Sequence, residues 1–352
     1  MMNVRTKTRQ IESMDMAKLV MAISIVAMHS SLFTGTPLAC LIWPWARVSV
    51  PLFFIMSSFF LFRKSEIGQG VAHTISRLVR MYIFWFTVSL PITIIYRANW
   101  WWKDDGIMLC FVRFLRSLMF SGTFGASWYL AALCVALLLF TFFLRIRLFA
   151  GGGICFLFYI FTCLWSSYLF CIVPAGNPLL LKVHWFEEHI LLPHRSFMVA
   201  MFWVWIGHLM AVRRMPTYFT LKRLLALLIM FGMLLWCKWA WVWHMSRLHR
   251  NDCYFMLAPC CMILFLILCK APNCNIVREI EERVGKGSFR KVSTVMFFVH
   301  LQIQSVLGEL IPNGYMYNIP LFFLSVVFSI VIFMVIEKAR CCNLCCFLQW
   351  AY

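Results

Sequence analysis

An aspartate, a lysine and a histidine stand at helical spacing near the start of the chain, as Asp15, Lys18 and His29. Lys18 and His29 are eleven positions apart, which on a helix is three turns plus about 20°, so both lie on one face. Asp15 is close enough along the helix to pair with Lys18. A neutral imidazole can take a proton from a hydroxyl near pH 7, which makes His29 a candidate general base. The alternative is a helix-packing histidine, with Lys18 extending towards water.

Three other apolar stretches contain residues that could assist such a base. His300 ends the stretch 293–300, Ser57 lies within the stretch 47–61, and Trp128 and Tyr129 begin a further apolar run. Each has a structural alternative. Small residues allow helices to approach closely, and tryptophan and tyrosine favour the membrane interface.

The composition indicates which elements must position these residues. Of 352 residues, 63% are hydrophobic and 13% are charged, and the mean hydropathy is +0.83. A soluble domain has about 45–50% apolar and about 25% charged residues. These values exclude a soluble enzyme, a disordered chain, a fibrous repeat and a secreted disulfide scaffold. The sequence predicts an all-α polytopic membrane protein.

Ten apolar segments are candidate transmembrane helices, since a bilayer core needs about 20 mostly apolar residues per helix. An even number of spans, such as ten, places both termini on the same side of the membrane. If that side is the cytoplasm, 21 basic residues lie in cytoplasmic loops and tails and 10 lie in outer loops. Basic residues are more frequent in cytoplasmic loops, so this difference predicts cytoplasmic termini. The predicted spans are about 17–34, 48–62, 81–96, 127–144, 149–173, 197–212, 223–243, 254–269, 292–311 and 319–336.

The sequence predicts one integral domain over residues 1–352, with a transmembrane bundle at 17–336 between cytoplasmic tails at 1–16 and 337–352. The net charge is +19, but the basic residues are spread over short loops. We therefore expect membrane lipids as partners and no nucleic acid. No metal site is predicted, because the histidines near Glu187 lack the H-E-x-x-H spacing.

The candidate residues together resemble the acyltransferase family 3 of membrane proteins. In that family the first helix contains D-x-x-R, ten further residues and then a histidine, and Asp15, Lys18 and His29 occupy those places. Phe54 and Ser57 fit the second-span pattern V-P-x-F-F-x-x-S-G.

The resemblance continues in order along nearly the whole chain. Arg77 and Arg80 match the family's basic stretch before the third span, and Trp128-Tyr129-Leu130 matches its W-[FY]-L motif. The stretch 293–300 resembles S-x-x-x-Y-L-x-H, and Glu337 resembles the terminal E-[RK]-P.

Four positions depart from the family pattern and bear on catalysis more than on fold. Lys18 stands in place of arginine, which keeps the charge and loses a planar bidentate donor. Ser58 replaces glycine, Phe297 replaces tyrosine and Ala339 replaces proline.

The resemblance implies an enzyme of the cytoplasmic (inner) membrane that transfers an acyl group, usually acetyl, from cytoplasmic acyl-CoA. The acceptor is a hydroxyl of an envelope glycan or a lipid-linked sugar, and acyl-CoA is a substrate, so no permanently bound cofactor is implied. His29 is the general base, and a transient acyl-histidine is a variant of that mechanism. Lys18, held by Asp15, would attract the CoA phosphates or polarise the thioester. Arg77 and Arg80 would hold other phosphates.

The same resemblance implies roles for the remaining candidate residues. Ser57 and His300 would orient His29 or donate to the developing oxyanion, and Trp128 and Tyr129 would contact the substrate. Two other classes stay open: a transporter or flippase that uses intramembrane His and Lys in a proton relay, and an inactive relative acting as a scaffold. The sequence specifies neither the acceptor nor an oligomeric state.

Overall fold

The protein is helical wherever the structure describes it. The structure is a computed structural model that describes residues 4–34, 36–63, 67–101, 106–146, 151–174, 176–213, 219–245, 253–271, 275–285, 287–311, 315–341 and 346–352. Within these ranges every regular element is a helix and none is a strand, which confirms the predicted all-α polytopic class. The α-helices are α1 (Val4–His29), α2 (Pro37–Ala46), α3 (Ser49–Phe62), α4 (Ile67–Trp101), α5 (Ile107–Arg116), α6 (Trp128–Arg145), α7 (Gly151–Cys163), α8 (Leu169–Ile172), α9 (Pro178–His189), α10 (Phe197–Val212), α11 (Leu221–Met245), α12 (Leu257–Lys270), α13 (Asn275–Val284), α14 (Ser288–Leu310) and α15 (Tyr315–Cys341).

The number of helices that could cross a membrane differs from the predicted ten. Among the described residues, seven segments are long and apolar enough: Pro37–Phe62, Gly70–Ile95, Trp128–Arg145, Gly151–Ile172, Pro178–Val212, Leu221–Met245 and Asn318–Arg340. The other three predicted spans fall on α1, α12 and α14. α1 includes the charged Asp15 and Lys18, α12 has 14 residues, and α14 buries Gln302 and Gln304. Each is therefore shorter or more polar than a lipid-exposed span requires.

The first helix ends at His29, although the sequence predicted a span that continues to residue 34. A turn follows, in which Ser31 and Phe33 have positive φ angles of 54° and 64°. Such angles are uncommon outside glycine and stop a right-handed helix. The next helix, α2, begins with a proline at its first position, Pro37. The candidate base therefore stands at the carboxyl end of α1 and not inside a longer helix.

The chain forms two compact units, of which the first contains Met1–Phe53, Pro216–Phe231 and Pro259–Tyr352. Its central helices are α1, α14 and α15. Ala22 and Val26 of α1 pack against Met296 of α14, and the Gln304 side chain donates to the Val26 carbonyl at 3.3 Å. The two helices run parallel, because each of them is antiparallel to α15.

The third helix of this unit, α15, runs in the opposite direction. Lys291 near the start of α14 pairs with Glu337 near the end of α15, and Asn318 near the start of α15 donates to the Ser31 carbonyl beyond the end of α1. The start of α1 and the end of α15 therefore lie at the same end of the unit. That the termini are cytoplasmic, and that the chain is one domain, stay predictions; the predicted tails are partly helical, because α1 begins at Val4 and α15 continues to Cys341.

The second unit contains Phe54–Met215 and Gly232–Ala258. Its core consists of α6 packed between α4 and α10, with α7 on α10. A close approach of two helices involves Gly207 of α10 and Ser58 of α3. A Cβ atom added at Gly207 would lie 1.9 Å from the Ser58 Oγ and 2.6 Å from the Ile55 carbonyl oxygen. Only glycine at 207 allows this contact, which is the close helix packing expected of small residues in membranes.

Candidate active site

One end of the first unit holds the ion pair that the spacing in α1 predicts. The Lys18 Nζ lies 3.0 Å from the Asp15 Oδ1, and the two side chains are 16% and 4% exposed. The pair forms within one helical turn because residues three apart are neighbours on a helix. Asp15 has little access to solvent, so it holds the lysine ammonium in place.

A second group of ion pairs lies at the same level. Because α1 and α14 are parallel with Ala22 beside Met296, Lys18 is level with the first turn of α14. There Glu337 of α15 binds Lys291 at 2.8 Å and Arg340 at 2.7 Å. The glutamate that the sequence singled out therefore fixes two basic side chains at the end of the unit that carries Lys18.

The two candidate histidines, His29 and His300, meet further along the same unit. The rings of His29 and His300 have centroids 5.3 Å apart and are inclined by 39°. His300 is fully buried, whereas the His29 side chain at the end of α1 is exposed. His29 is therefore accessible from outside the chain, beside a histidine that is not.

The protonation of His300 follows from its neighbours. Its Nδ1 lies 3.0 Å from the Met296 carbonyl oxygen, and a carbonyl only accepts, so Nδ1 carries the proton. The neutral ring then has a bare Nε2, which is buried and has no hydrogen-bond partner among the described residues. Buried hydrogen-bond acceptors in proteins usually have a donor nearby. The ring next to this nitrogen is that of His29.

The second unit brings together the serine and the aromatic pair. The hydroxyls of Ser57 and Tyr129 are 3.1 Å apart. The Phe54 ring lies 4.5 Å from that of Tyr129 and 6.3 Å from that of Trp128, measured between centroids. Tyr129 is buried and Trp128 is partly buried. This aromatic pair therefore packs against other residues of the protein, in addition to any contact with the membrane interface.

A polar turn before α6 fixes the position of the aromatic pair, and the sequence reasoning missed it. The Tyr82 Oη lies 2.8 Å from the Thr123 Oγ1, and the Ser127 Oγ accepts from the Phe124 N–H at 3.1 Å. Gly122 has φ of 78°, and a Cβ there would lie 2.4 Å from the Trp128 nitrogen. The signal was present in the run Ser121 to Ser127, which is rich in glycine and hydroxyl residues.

The two arginines of the basic motif project from α4 and are both exposed. The Arg80 Nε donates to the Ser76 carbonyl at 3.4 Å. Arg77 interacts electrostatically with Tyr129. Their three-residue spacing puts them on neighbouring parts of the helix surface, where phosphate oxygens would be accessible to both.

The sequence-predicted residues thus fall into two sets. Asp15, Lys18, His29 and His300 belong to the first unit, and Ser57, Arg77, Arg80, Trp128 and Tyr129 belong to the second. The action of Ser57 on His29 stays a prediction, as do all the individual roles. Across the part of the chain that the structure describes, no three His, Cys, Asp or Glu side chains are grouped so that they could hold a metal ion.

Comparison with known proteins gives one match. The family model described as "Acyltransferase domain" matches residues 11–338, which includes every candidate residue above. No curated protein and no solved structure matches the chain.

Proposed function

The chain belongs to the acyltransferase family 3, and from that premise we propose that this membrane protein is an O-acyltransferase that moves acetyl from acyl-CoA to a hydroxyl. The hydroxyl belongs to an envelope glycan or a lipid-linked sugar. The observation that carries the proposal is the pairing of His29 with His300. Transfer to a hydroxyl requires a positioned base, and this pair has the atoms for one.

In the proposed reaction, His29 takes the proton of the acceptor hydroxyl while the oxygen attacks the thioester carbonyl. The C–O bond forms, the C–S bond of the resulting tetrahedral intermediate breaks, and the CoA thiolate receives the proton from His29. The products are an ester and free CoA, and the imidazole ends as it began. No metal or bound cofactor takes part.

His300 serves as a positioning residue in this scheme. Its Nε2 has no hydrogen-bond partner among the described residues. In the proposed reaction it would accept the N–H of His29, so that the other ring nitrogen of a neutral His29 presents its lone pair to the hydroxyl. When His29 becomes positively charged, the same hydrogen bond strengthens. The carbonyl end of α1 adds to this, because the helix dipole favours a positive charge at its last turn.

The helix rise favours one of the two roles suggested for Lys18. Eleven residues of continuous helix place Lys18 about 16 Å from His29 along the axis. A lysine cannot bridge that distance to the carbonyl that reacts beside His29. We therefore assign Lys18 to the phosphates of CoA, with the pantetheine arm extending along α1 towards His29. Arg77 and Arg80 are assigned to the same anionic donor, and Trp128 and Tyr129 to substrate contact.

Lys18 variants test the phosphate assignment. Lys18→Ala should raise the KM for acetyl-CoA about 10- to 150-fold with little change in kcat, because it removes a charge-assisted contact worth about 1.5–3 kcal/mol. Lys18→Arg should keep or raise activity, since it restores the family's residue. Lys238→Ala, which removes a lysine beside Trp241 in the second unit, is the control and should leave KM unchanged. Equal KM values in Lys18→Ala and the parent protein would make Lys18 a structural residue.

Turnover by purified protein tests the proposed reaction itself. With acetyl-CoA labelled in the acetyl group and a lipid-linked sugar fraction as acceptor, we expect release of free CoA thiol and labelled esters that mild base removes. The thiol and the ester should appear in equal amounts. Movement of sugar across vesicles without thiol release would indicate a transporter. Neither activity from folded protein would indicate an inactive relative.

A further inference from the structure

Two cysteines of the second unit stand face to face. Cys163 ends α7 and Cys253 precedes α12, and their Sγ atoms are 3.4 Å apart although 90 positions separate them in the chain. The Cys163 side chain is fully buried and that of Cys253 is 3% exposed. Neither takes part in the reaction proposed above, so their pairing needs another explanation.

Two hydrogen bonds hold the Cys253 segment against α7 and the turn that follows it. The Tyr159 hydroxyl donates to the Tyr254 carbonyl at 2.6 Å, and the Cys253 N–H donates to the Ser167 Oγ at 3.3 Å. The first contact lies one helical turn before Cys163 and the second lies about one turn after it. The thiols are therefore held in place from both sides, and an S–S bond of about 2.05 Å requires only a small approach of the sulfurs.

We propose that Cys163 and Cys253 form a disulfide in the mature protein. Each thiol loses a proton and one electron, the S–S bond forms, and a protein or small-molecule disulfide acts as oxidant and leaves as two thiols. Oxidation takes place before the Cys253 segment docks on α7, since both sulfurs are buried afterwards. The predicted orientation places Cys253 on the outer side of the membrane, where disulfides persist.

Peptide mapping of the purified full-length protein tests this proposal. Cells are treated with N-ethylmaleimide before lysis, and the protein is digested without reductant. We expect a cross-linked pair of peptides containing Cys163 and Cys253 in the parent protein and in Cys155→Ser, which removes another buried cysteine of α7. The pair should be absent from Cys253→Ser.

Burial makes a second, independent measurement possible. The disulfide should resist dithiothreitol in the folded protein and be reduced once the protein is denatured, because exchange requires access to sulfur. Denaturation in the presence of reductant should then lower the apparent Tm of the parent by at least about 3 °C, with no such shift in Cys253→Ser. If N-ethylmaleimide modifies both cysteines in denatured, unreduced protein, the proposal is overturned.

Discussion

Replacing His29 with asparagine should lower kcat for acyl transfer at least about 100-fold. A general base typically contributes about 10²–10⁴-fold, and asparagine keeps the size and polarity of the side chain but cannot take a proton. His29→Ala should lose activity to the same extent. Binding of acetyl-CoA should survive in both variants, because the phosphates are assigned to Lys18, about 16 Å away along α1, and to Arg77 and Arg80. Initial rates of ester formation by purified variants, together with acetyl-CoA binding, measure the two effects separately.

The control for His29 is a histidine that lies outside the proposed chemistry. His208 lies between the rings of Phe62 and Phe140, with centroids at 4.8 and 5.3 Å. His208→Asn should keep parental kcat within about threefold. All variants should still insert, because one polar contact between membrane helices contributes only about 0.6–2 kcal/mol. If His29→Asn retains more than about a tenth of parental kcat, His29 is a packing residue and the base lies elsewhere.

Replacing His300 with phenylalanine should lower kcat about 10- to 150-fold while the KM for acetyl-CoA changes little. The variant keeps the ring and removes the acceptor that orients His29. A hydrogen bond to a charged group contributes about 1.5–3 kcal/mol, and that loss of free energy in the transition state corresponds to the stated factor. His300→Gln should recover part of the rate, because its amide can donate to the Met296 carbonyl and its oxygen can accept from His29.

A pH profile distinguishes positioning from simple packing at His300. If the Nε2 of His300 supports the charged form of His29, its removal shifts the acidic limb of the kcat profile to lower pH, because the protonated and inactive form of His29 is no longer stabilised. The parent and His300→Gln should share one profile. A His300→Phe variant that is slow but has the parental profile, or one that retains full kcat, would leave His300 with a packing role alone.

Interactions within one helix were predictable from the sequence. The pairing of Asp15 with Lys18 depends on a three-residue spacing, and the structure contains it at 3.0 Å. The shared face of Lys18 and His29 depends on a continuous helix, and α1 is continuous from Val4 to His29. Such features follow from helical geometry alone, so no knowledge of neighbouring elements is needed.

Features that depend on other elements were not predictable in the same way. The end of α1 is set by the turn at Ser31 and Phe33, and neither residue type signals a left-handed conformation. The hydrogen bond between Ser57 and Tyr129 joins residues 72 positions apart, and no periodicity encodes it. The predicted count of ten spans differs from the seven long apolar segments of the described residues, because α12 is short and α1 and α14 contain charged or polar residues.

The contact between Ser58 and Gly207 makes the two positions unequal in what they tolerate. The Ser58 hydroxyl fills the volume into which a side chain at 207 would project. A Cβ atom at 207 would also lie 2.6 Å from the Ile55 carbonyl oxygen, which belongs to the backbone. Removing the Ser58 hydroxyl alone would therefore not make room for alanine at 207. Position 58 can change by a side chain, whereas position 207 can change only if α10 moves away from α3.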